Sequence, residues 1–155
     1  MIDDWKLPWS ASCLCGRVQM KVTAPPMLSL ACHCRGCQKL TSSAYSMAFI
    51  VPSTGFEVTQ GKPVLGGLRG EHRQYYCDDC KTWLFTRPSQ MDTIVNIRST
   101  LLDDVSWVTP FIDIETKDKL PSITTGAEMS FAGTPPIDDF MQIVADYAER
   151  GVRPS

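Results

Sequence analysis

The seven cysteines of this chain fall into three tight clusters, and this grouping constrains the fold more than any other feature of the sequence. They occur as Cys13-x-Cys15, as Cys32-His33-Cys34-x-x-Cys37 and as Cys77-x-x-Cys80. Such spacings allow two thiolates to converge on one metal ion without distorting the backbone. Two pairs and a triplet predict one closed site with four thiolates and a second site with three thiolates and an open position. A closed zinc site is typically structural, and one with an open position is typically catalytic.

The size, charge and N-terminus of the chain narrow the classes of protein to which it can belong. The chain has 155 residues, the size of one domain, so we expect residues 1–155 to form a single zinc-binding domain. Its net charge of −2 at pH 7 argues against tight binding to nucleic acid or to an anionic membrane. No secretory signal or membrane-spanning segment is visible. We therefore expect a cytoplasmic, reducing environment, in which clustered cysteines more often hold metal than form disulfides.

Alternating apolar residues predict a mainly β fold. Within residues 17–23, Val18, Met20 and Val22 share one face, which is typical of a half-buried antiparallel strand. Further strands are predicted at residues 28–31, 45–51, 56–59, 72–76, 84–87 and 93–98, with a single helical turn at 36–40. The sequence thus predicts a mainly antiparallel β-domain with short helical turns.

One long helix is predicted, at about residues 136–150 near the end of the chain. Pro135 and Pro136 suit its start, and Asp138 and Asp139 complement the positive end of the helix dipole. The apolar residues at helical spacing are Ile137, Phe140, Met141, Val144, Ala145 and Ala148. We expect this apolar side to cover one face of a sheet.

The two cysteine pairs, Cys13 with Cys15 and Cys77 with Cys80, predict a structural zinc site. Because the pairs are far apart in the chain, a shared ion would clamp an early strand to a later hairpin. Binding of such an ion supplies about 10 kcal/mol of apparent free energy, comparable to the whole stability of a small domain. The alternatives are free thiols or a redox C-x-x-C motif. The redox motif is disfavoured because it normally occurs at a strand–helix junction in a βαβ pattern, which this sequence lacks.

The triplet of Cys32, Cys34 and Cys37 predicts a second zinc with an open position for water or a substrate thiol. Zinc stabilises a thiolate over a thiol, so a bound substrate thiol would be deprotonated at neutral pH. Such a site suits the making or breaking of a carbon–sulfur bond. Two alternatives stay open from the residues alone: a disulfide from Cys37 to Cys32 or Cys34, or three buried thiols.

Polar and aromatic residues near the triplet are further candidates. His33 is interpreted as a non-ligand, since neighbouring side chains of an extended segment point to opposite faces, with acid/base duty as the other possibility. Arg35 and Lys39 are candidates for binding the carboxylates of a thiol such as glutathione. His72 lacks metal-ligand spacing and is predicted to be a surface or hydrogen-bonded histidine. The four tryptophans are expected to serve packing, with one as a possible wall of a pocket beside the zinc.

Three motifs in this chain resemble, in order, those of the glutathione-dependent formaldehyde-activating enzyme family, which includes centromere protein V. They are Ser12-Cys13-Leu14-Cys15-Gly16-Arg17-Val18, Cys32-His33-Cys34-Arg35-Gly36-Cys37-Gln38-Lys39 and Tyr76-Cys77-Asp78-Asp79-Cys80-Lys81-Thr82-Trp83-Leu84-Phe85. The resemblance covers about residues 10–115, and the remainder is a C-terminal extension that includes the predicted helix. Lys81 departs from the pattern, which has glycine at this position.

The resemblance implies a fold, two metal sites and an activity. The fold would be an Mss4-like arrangement of several antiparallel sheets. A structural zinc would lie on Cys13, Cys15, Cys77 and Cys80, and a second, catalytic zinc on Cys32, Cys34 and Cys37, so that two zinc ions are expected per chain. The activity would be that of a carbon–sulfur lyase, which adds a glutathione-type thiol to formaldehyde or a similar small aldehyde or other electrophile.

Two other functions remain as alternatives. One is a non-catalytic, zinc-stabilised binding module. The other is thiol redox chemistry resembling that of the methionine sulfoxide reductases, which use a cysteine separate from their four zinc ligands. The sequence disfavours the redox function, because every cysteine outside the two pairs belongs to the triplet.

Overall fold

Two β-sheets and two α-helices make up most of the computed structural model, which describes residues 2–67 and 71–155. The strands are β1 (Trp9–Ser12), β2 (Gln19–Val22), β3 (Leu28–Cys32), β4 (Ser46–Pro52), β5 (Phe56–Gln60), β6 (Val64–Gly66), β7 (Arg73–Tyr76), β8 (Trp83–Arg87), β9 (Ile94–Arg98), β10 (Ile112–Ile114) and β11 (Met129–Ser130). The helices are α1 (Arg35–Thr41) and α2 (Ile137–Arg150), and several short 3-10 turns connect the elements. The prediction of a mainly β fold with short helical turns and a C-terminal helix is confirmed.

The strands are divided between a small sheet and a large one. The small sheet has the order β1-β2-β5, and the large sheet has the order β11-β10-β3-β4-β9-β8-β7-β6. All pairings are antiparallel except those of β10 with β3 and with β11, which are parallel. The sequence predicted antiparallel sheets. The parallel pairs arise because the chain, after leaving β9, returns along the far edge of the large sheet.

Each strand predicted from alternation is present in the structure, with bounds within about two residues of the predicted ones. The buried side chains of Val18, Met20 and Val22 confirm the predicted apolar face of β2. Four strands were missed, namely β1, β6, β10 and β11. Each of these has four residues or fewer, which is too short for alternation to be recognised.

The core lies between the two sheets. The ring of Trp9 on β1 is 5.3 Å from that of Phe49 on β4, and the ring of Phe56 on β5 is 4.9 Å from that of Phe85 on β8. These contacts bury one face of β4 and β8, and Val95 and Ile97 on the same side of β9 are buried as well. Because side chains alternate along a strand, the intervening residues of these strands point to the opposite face of the large sheet, where the candidate site lies.

Helix α2 packs beside β3, but its buried side differs from the predicted one. Ile143 and Tyr147 are buried, and the Tyr147 ring lies 5.6 Å from that of Trp5 and 5.4 Å from that of Phe111. The predicted stripe is wrong at Ile137, Met141, Ala145 and Ala148, which are exposed. The buried spacing runs instead from Phe140 through Ile143 and Val144 to Tyr147, and the tyrosine was not counted as apolar. Neither α-helix in the described part of the chain has the length and apolar character that a membrane span requires.

Candidate metal centre and adjoining cavity

The first cysteine cluster joins the two sheets. Cys13 and Cys15 lie in the turn after β1, and Cys77 and Cys80 lie in the turn between β7 and β8. Their four sulfur atoms all lie within 4.8 Å of one another.

The spacing of these sulfur atoms fits a tetrahedral metal site. The separations are 3.5 Å from Cys13 to Cys15 and 3.8 Å from Cys15 to Cys77. Zinc–sulfur bonds of about 2.3 Å in a tetrahedron place the sulfurs about 3.8 Å apart, whereas a disulfide would bring two of them to about 2.05 Å. The cluster could therefore hold zinc.

Hydrogen bonds hold the two turns in this arrangement. The Val18 amide donates to Cys13 Sγ at 3.3 Å, and the Leu14 amide donates across the two turns to Thr82 Oγ1 at 3.2 Å. The Thr82 hydroxyl lies 3.1 Å from Cys80 Sγ, and this hydrogen bond is the main cause that lowers the pKa of Cys80 to about 5. A sulfur that is readily deprotonated is a good metal ligand.

Both turns continue with a residue in the left-handed region of backbone space. Gly16, directly after Cys15, has φ of 79°, and Lys81, directly after Cys80, has φ of 59°. Glycine adopts this conformation at little cost, whereas a lysine carries the steric penalty of its Cβ. The departure from the motif pattern at Lys81 therefore falls where the backbone favours glycine. The lysine ammonium lies 2.9 Å from Asp78 on the exposed side of the turn.

The second cluster lies where β3 passes into α1. Cys32 ends β3, Cys34 caps the N-terminus of α1, and Cys37 lies in the first turn of the helix. The three sulfur atoms lie within 4.8 Å of one another, and the Cys37 amide donates to Cys34 Sγ at 3.3 Å. The hydrogen bond with Cys37 and burial both raise the pKa of Cys32. Without a cation Cys32 is therefore a neutral thiol, whereas a bound cation would favour its thiolate, and this cluster could also hold zinc.

His33 lies outside the group of sulfur atoms, on a buried side of the ligand segment. Its Nε2 is 2.9 Å from Asp113 Oδ1 on β10, and both groups are buried. The Thr125 hydroxyl is 2.8 Å from each carboxylate oxygen of Asp113. The His33 amide also donates to the Ile114 carbonyl at 3.0 Å. His33 thus ties the ligand segment to β10.

Gln38 fixes the same segment from the helix side. Its Nε2 donates to the carbonyl of His33 at 2.8 Å and to that of Asp118 at 2.9 Å. Its Oε1 accepts a hydrogen bond from the Arg35 guanidinium. Arg35 and Lys39, which were candidates for binding a carboxylate, are exposed on α1 and are not among the residues that line the cavity beside the triplet.

A cavity of about 510 Å³ adjoins the second cluster on the outer face of the large sheet. Cys32, Cys34 and Cys37 form part of its wall. Apolar side chains supply most of the remainder: Leu28, Leu30, Ile50, Trp83, Pro88, Ile112, Ile114, Pro135 and Phe140. The described polar residues in the lining are Ser46, His72, Gln74, Thr86, Asn96, Arg98, Glu115 and Thr134. An ion bound to the triplet would face this cavity.

Several of these lining residues were not foreseen from the sequence. His72 is exposed and its Nδ1 accepts a hydrogen bond from the Ser89 amide at 3.4 Å, as the sequence predicted, but its place in the cavity lining was not foreseen. Trp83 is the tryptophan that forms a wall of the pocket. The guanidinium of Arg98 lies over its ring, 4.0 Å from the ring centre. In the sequence, polar residues on the outer face of a strand have the pattern of a solvent-exposed face, so they gave no signal of a cavity.

Comparison with known proteins agrees with the motifs. The glutathione-dependent formaldehyde-activating enzyme family matches residues 8–118, which contain both cysteine clusters. The chain belongs to this family. It is also similar to the crystal structure of a Rhodobacter sphaeroides protein determined as a structural genomics target, with a TM-score of 0.50 and 16% sequence identity. That alignment covers 63% of this chain and 90% of the other, and it supports the fold alone. The sequence has no significant match among curated proteins.

Proposed function

We propose that this chain is a zinc-dependent carbon–sulfur lyase that joins a glutathione-type thiol to formaldehyde or a similar small electrophile. The observation that carries the proposal is the convergence of three cysteine sulfurs at the wall of a cavity of about 510 Å³. A cavity of this size accommodates a small peptide thiol together with a small aldehyde. Membership of the family supports the choice of substrates.

The two cysteine clusters have different roles in this proposal. Cys13, Cys15, Cys77 and Cys80 hold a structural zinc that connects the two sheets, and Cys32, Cys34 and Cys37 hold the catalytic zinc. When bound to the triplet, zinc would lower the pKa of a thiol at its open position, so that the thiol is a thiolate at neutral pH.

The reaction is an addition without a change of oxidation state. The thiol loses its proton, its sulfur forms a bond to the aldehyde carbon, and the carbonyl electron pair moves onto oxygen. The oxygen then takes up a proton to give the S-hydroxymethyl product. The chain itself contributes binding and orientation: Gln38 and the His33–Asp113 pair hold the ligand segment in place, and the apolar wall limits the access of water to the reacting sulfur.

The proposal is tested by the rate of formation of S-hydroxymethylglutathione, measured by NMR exchange spectroscopy with purified, reduced, zinc-loaded protein. We expect the protein to accelerate the reaction above its spontaneous rate and Cys34→Ser to return it to that rate. Ser43→Ala is the control, since Ser43 is an exposed residue just beyond α1. Acceleration that persists in Cys34→Ser would contradict the proposal, as would its absence from protein that contains two zinc ions.

A further inference from the structure

We propose that the outer face of the large sheet carries a carboxylate-binding subsite inside the cavity, built on the donors of Arg98, Thr86 and Trp83. The inference rests on the proposed function and deepens it, because it names a chemical group that a substrate of this site must carry. Formaldehyde has no such group, so the carboxylate belongs either to the thiol or to a larger electrophile.

Three polar side chains form one row across the sheet. In the strand register, Gln74 of β7 is opposite Thr86 of β8, and Thr86 is opposite Asn96 of β9. The row continues onto β4 with an apolar side chain, since Asn96 is opposite Ile50. Arg98 lies two residues beyond Asn96 on β9, so both point to the same face. The polar part of the cavity is therefore a contiguous area and not a scatter of single residues.

Two members of the row are buried and Asn96 is half-buried, and the side-chain oxygens of all three lack partners among the described residues. Gln74 is 1% exposed and Thr86 is 7% exposed. Gln74 Oε1, Thr86 Oγ1 and Asn96 Oδ1 have no hydrogen-bond partner among the described residues, and the same is true of Ser46 Oγ and Trp83 Nε1 in the same cavity. Buried polar groups are nearly always hydrogen-bonded. Their collection on one cavity face indicates that a polar ligand completes their hydrogen bonding. The Thr86 and Ser46 hydroxyls and the Trp83 N–H can donate to a carboxylate of that ligand, whereas Gln74 Oε1 and Asn96 Oδ1 accept from its N–H or O–H groups.

The charge and donors of this face favour an anionic oxygen ligand. Arg98 is 8% exposed, and its guanidinium is held over the Trp83 ring. A buried guanidinium on an aromatic surface is well suited to paired hydrogen bonds with a planar carboxylate, and the Thr86 hydroxyl and Trp83 N–H add further donors. Among the described lining residues, Glu115 is the single carboxylate, and its Oε2 is 3.1 Å from Lys117 Nζ.

The position of Arg98 relative to the triplet sets the size of the ligand. Arg98 is opposite Ala48 on β4, whereas Cys32 is opposite Ser46 on the same strand. The Cα atoms of Arg98 and Cys32 are therefore two strands apart and two residues apart along the strands, which places them about 12 Å from each other. A ligand that reaches both must carry its carboxylate several bonds from the reacting sulfur or carbonyl carbon, unless two ligands share the cavity.

The test is binding by titration calorimetry, with probes that cannot complete the reaction. S-methylglutathione and its diethyl ester, in which both carboxylates are blocked, report a carboxylate on the thiol, while 5-oxopentanoate and its methyl ester report a carboxylate on the electrophile. We expect Arg98→Gln to weaken the binding of one carboxylate probe by about tenfold or more, to change that of its ester by less than about threefold, and to leave two zinc ions per chain. Arg98→Lys should restore part of the affinity.

A second variant covers the case in which Arg98→Gln does not fold. Thr86→Val keeps the shape of the side chain, and we expect it to weaken the same carboxylate probe by about three- to tenfold. The subsite would be overturned if both carboxylate probes bind no more tightly than their esters and if substitution of Arg98 or Thr86 does not change that binding. If that happens while glutathione and formaldehyde still react, the proposed function survives. If binding depends on Arg98 but the protein does not accelerate the reaction of glutathione with formaldehyde, the subsite is supported and the proposed function is overturned.

Discussion

Replacing Cys80 with serine should destabilise the fold more than replacing Cys34 in the same way. The two side chains are matched, since both are cysteines of intermediate exposure that belong to a group of converging sulfurs. The two clusters differ in the length of the chain segment that a bound metal would close. A metal on the first cluster joins Cys15 to Cys77, which are 62 positions apart, whereas one on the second cluster closes a segment from Cys32 to Cys37.

The expected difference follows from the entropy of loop closure in the unfolded chain. The free-energy cost of this lost entropy scales as three-halves of RT multiplied by the natural logarithm of loop length. For a 62-residue loop compared with one of about five residues, the difference is about 2 kcal/mol. Cys80→Ser should therefore lower the free energy of unfolding by about 2 kcal/mol more than Cys34→Ser does, provided that both variants lose their metal.

Urea denaturation followed by tryptophan fluorescence, in reducing buffer with zinc present, measures this difference. A strong chelator serves as the control, because removal of both metals should bring the wild-type protein and the two variants close together. Equal losses in the two variants, or a larger loss in Cys34→Ser, would refute the reasoning that the first cluster is the structural clamp.

Four further changes test individual features of the structure. Thr86→Val should raise the free energy of unfolding of the ligand-free protein by about 1 kcal/mol in urea denaturation, because it removes a buried hydroxyl without a partner; a decrease would contradict this. Lys81→Gly should raise the melting temperature, with a gain of about 0.5 kcal/mol from the relief of its left-handed backbone, and a lower melting temperature would speak against that strain. Asp113→Ala should lower the free energy of unfolding by about 3 kcal/mol, because it leaves the buried His33 Nε2 and the Thr125 hydroxyl without their acceptor, and a loss below about 1 kcal/mol would mean that these hydrogen bonds are unimportant. In folded, metal-free protein, the hydrogen bond from Thr82 is expected to lower the pKa of Cys80 from 9.0 to about 5. Its contribution to stability is then full above pH 9 and is lost as the pH falls through 5. Thiolate absorbance at 240 nm and pH 7 should be lower in Cys80→Ser than in the wild-type protein, and identical absorbance in both proteins would exclude this assignment.

The grouping of the cysteines was predictable because metal-ligand spacing is a local property of the chain. A C-x-C or C-x-x-C segment determines which sulfurs can converge, and the count of two pairs and a triplet then limits how they are shared. The structure brings together Cys13, Cys15, Cys77 and Cys80, and separately Cys32, Cys34 and Cys37, in the groups that the sequence indicated. The strands with clear alternation were predictable for the same reason.

The polar face of the cavity was not predictable, because it depends on contacts between distant parts of the chain. Asn96 and Arg98 alternate with the buried Val95 and Ile97, which is also the pattern of a strand with one face in water. That face becomes a cavity because residues such as Phe140, far along the chain, return to its rim. The pairing of His33 with Asp113, 80 positions later, is equally invisible to local patterns.

The most direct test of the account is the zinc content per folded chain of the freshly purified, reduced wild-type protein beside that of Cys34→Ser. We predict two zinc ions in the wild-type protein and one in Cys34→Ser, with the same circular dichroism spectrum for both. One zinc ion in each protein would contradict the central claim that the Cys32, Cys34 and Cys37 triplet is a metal centre.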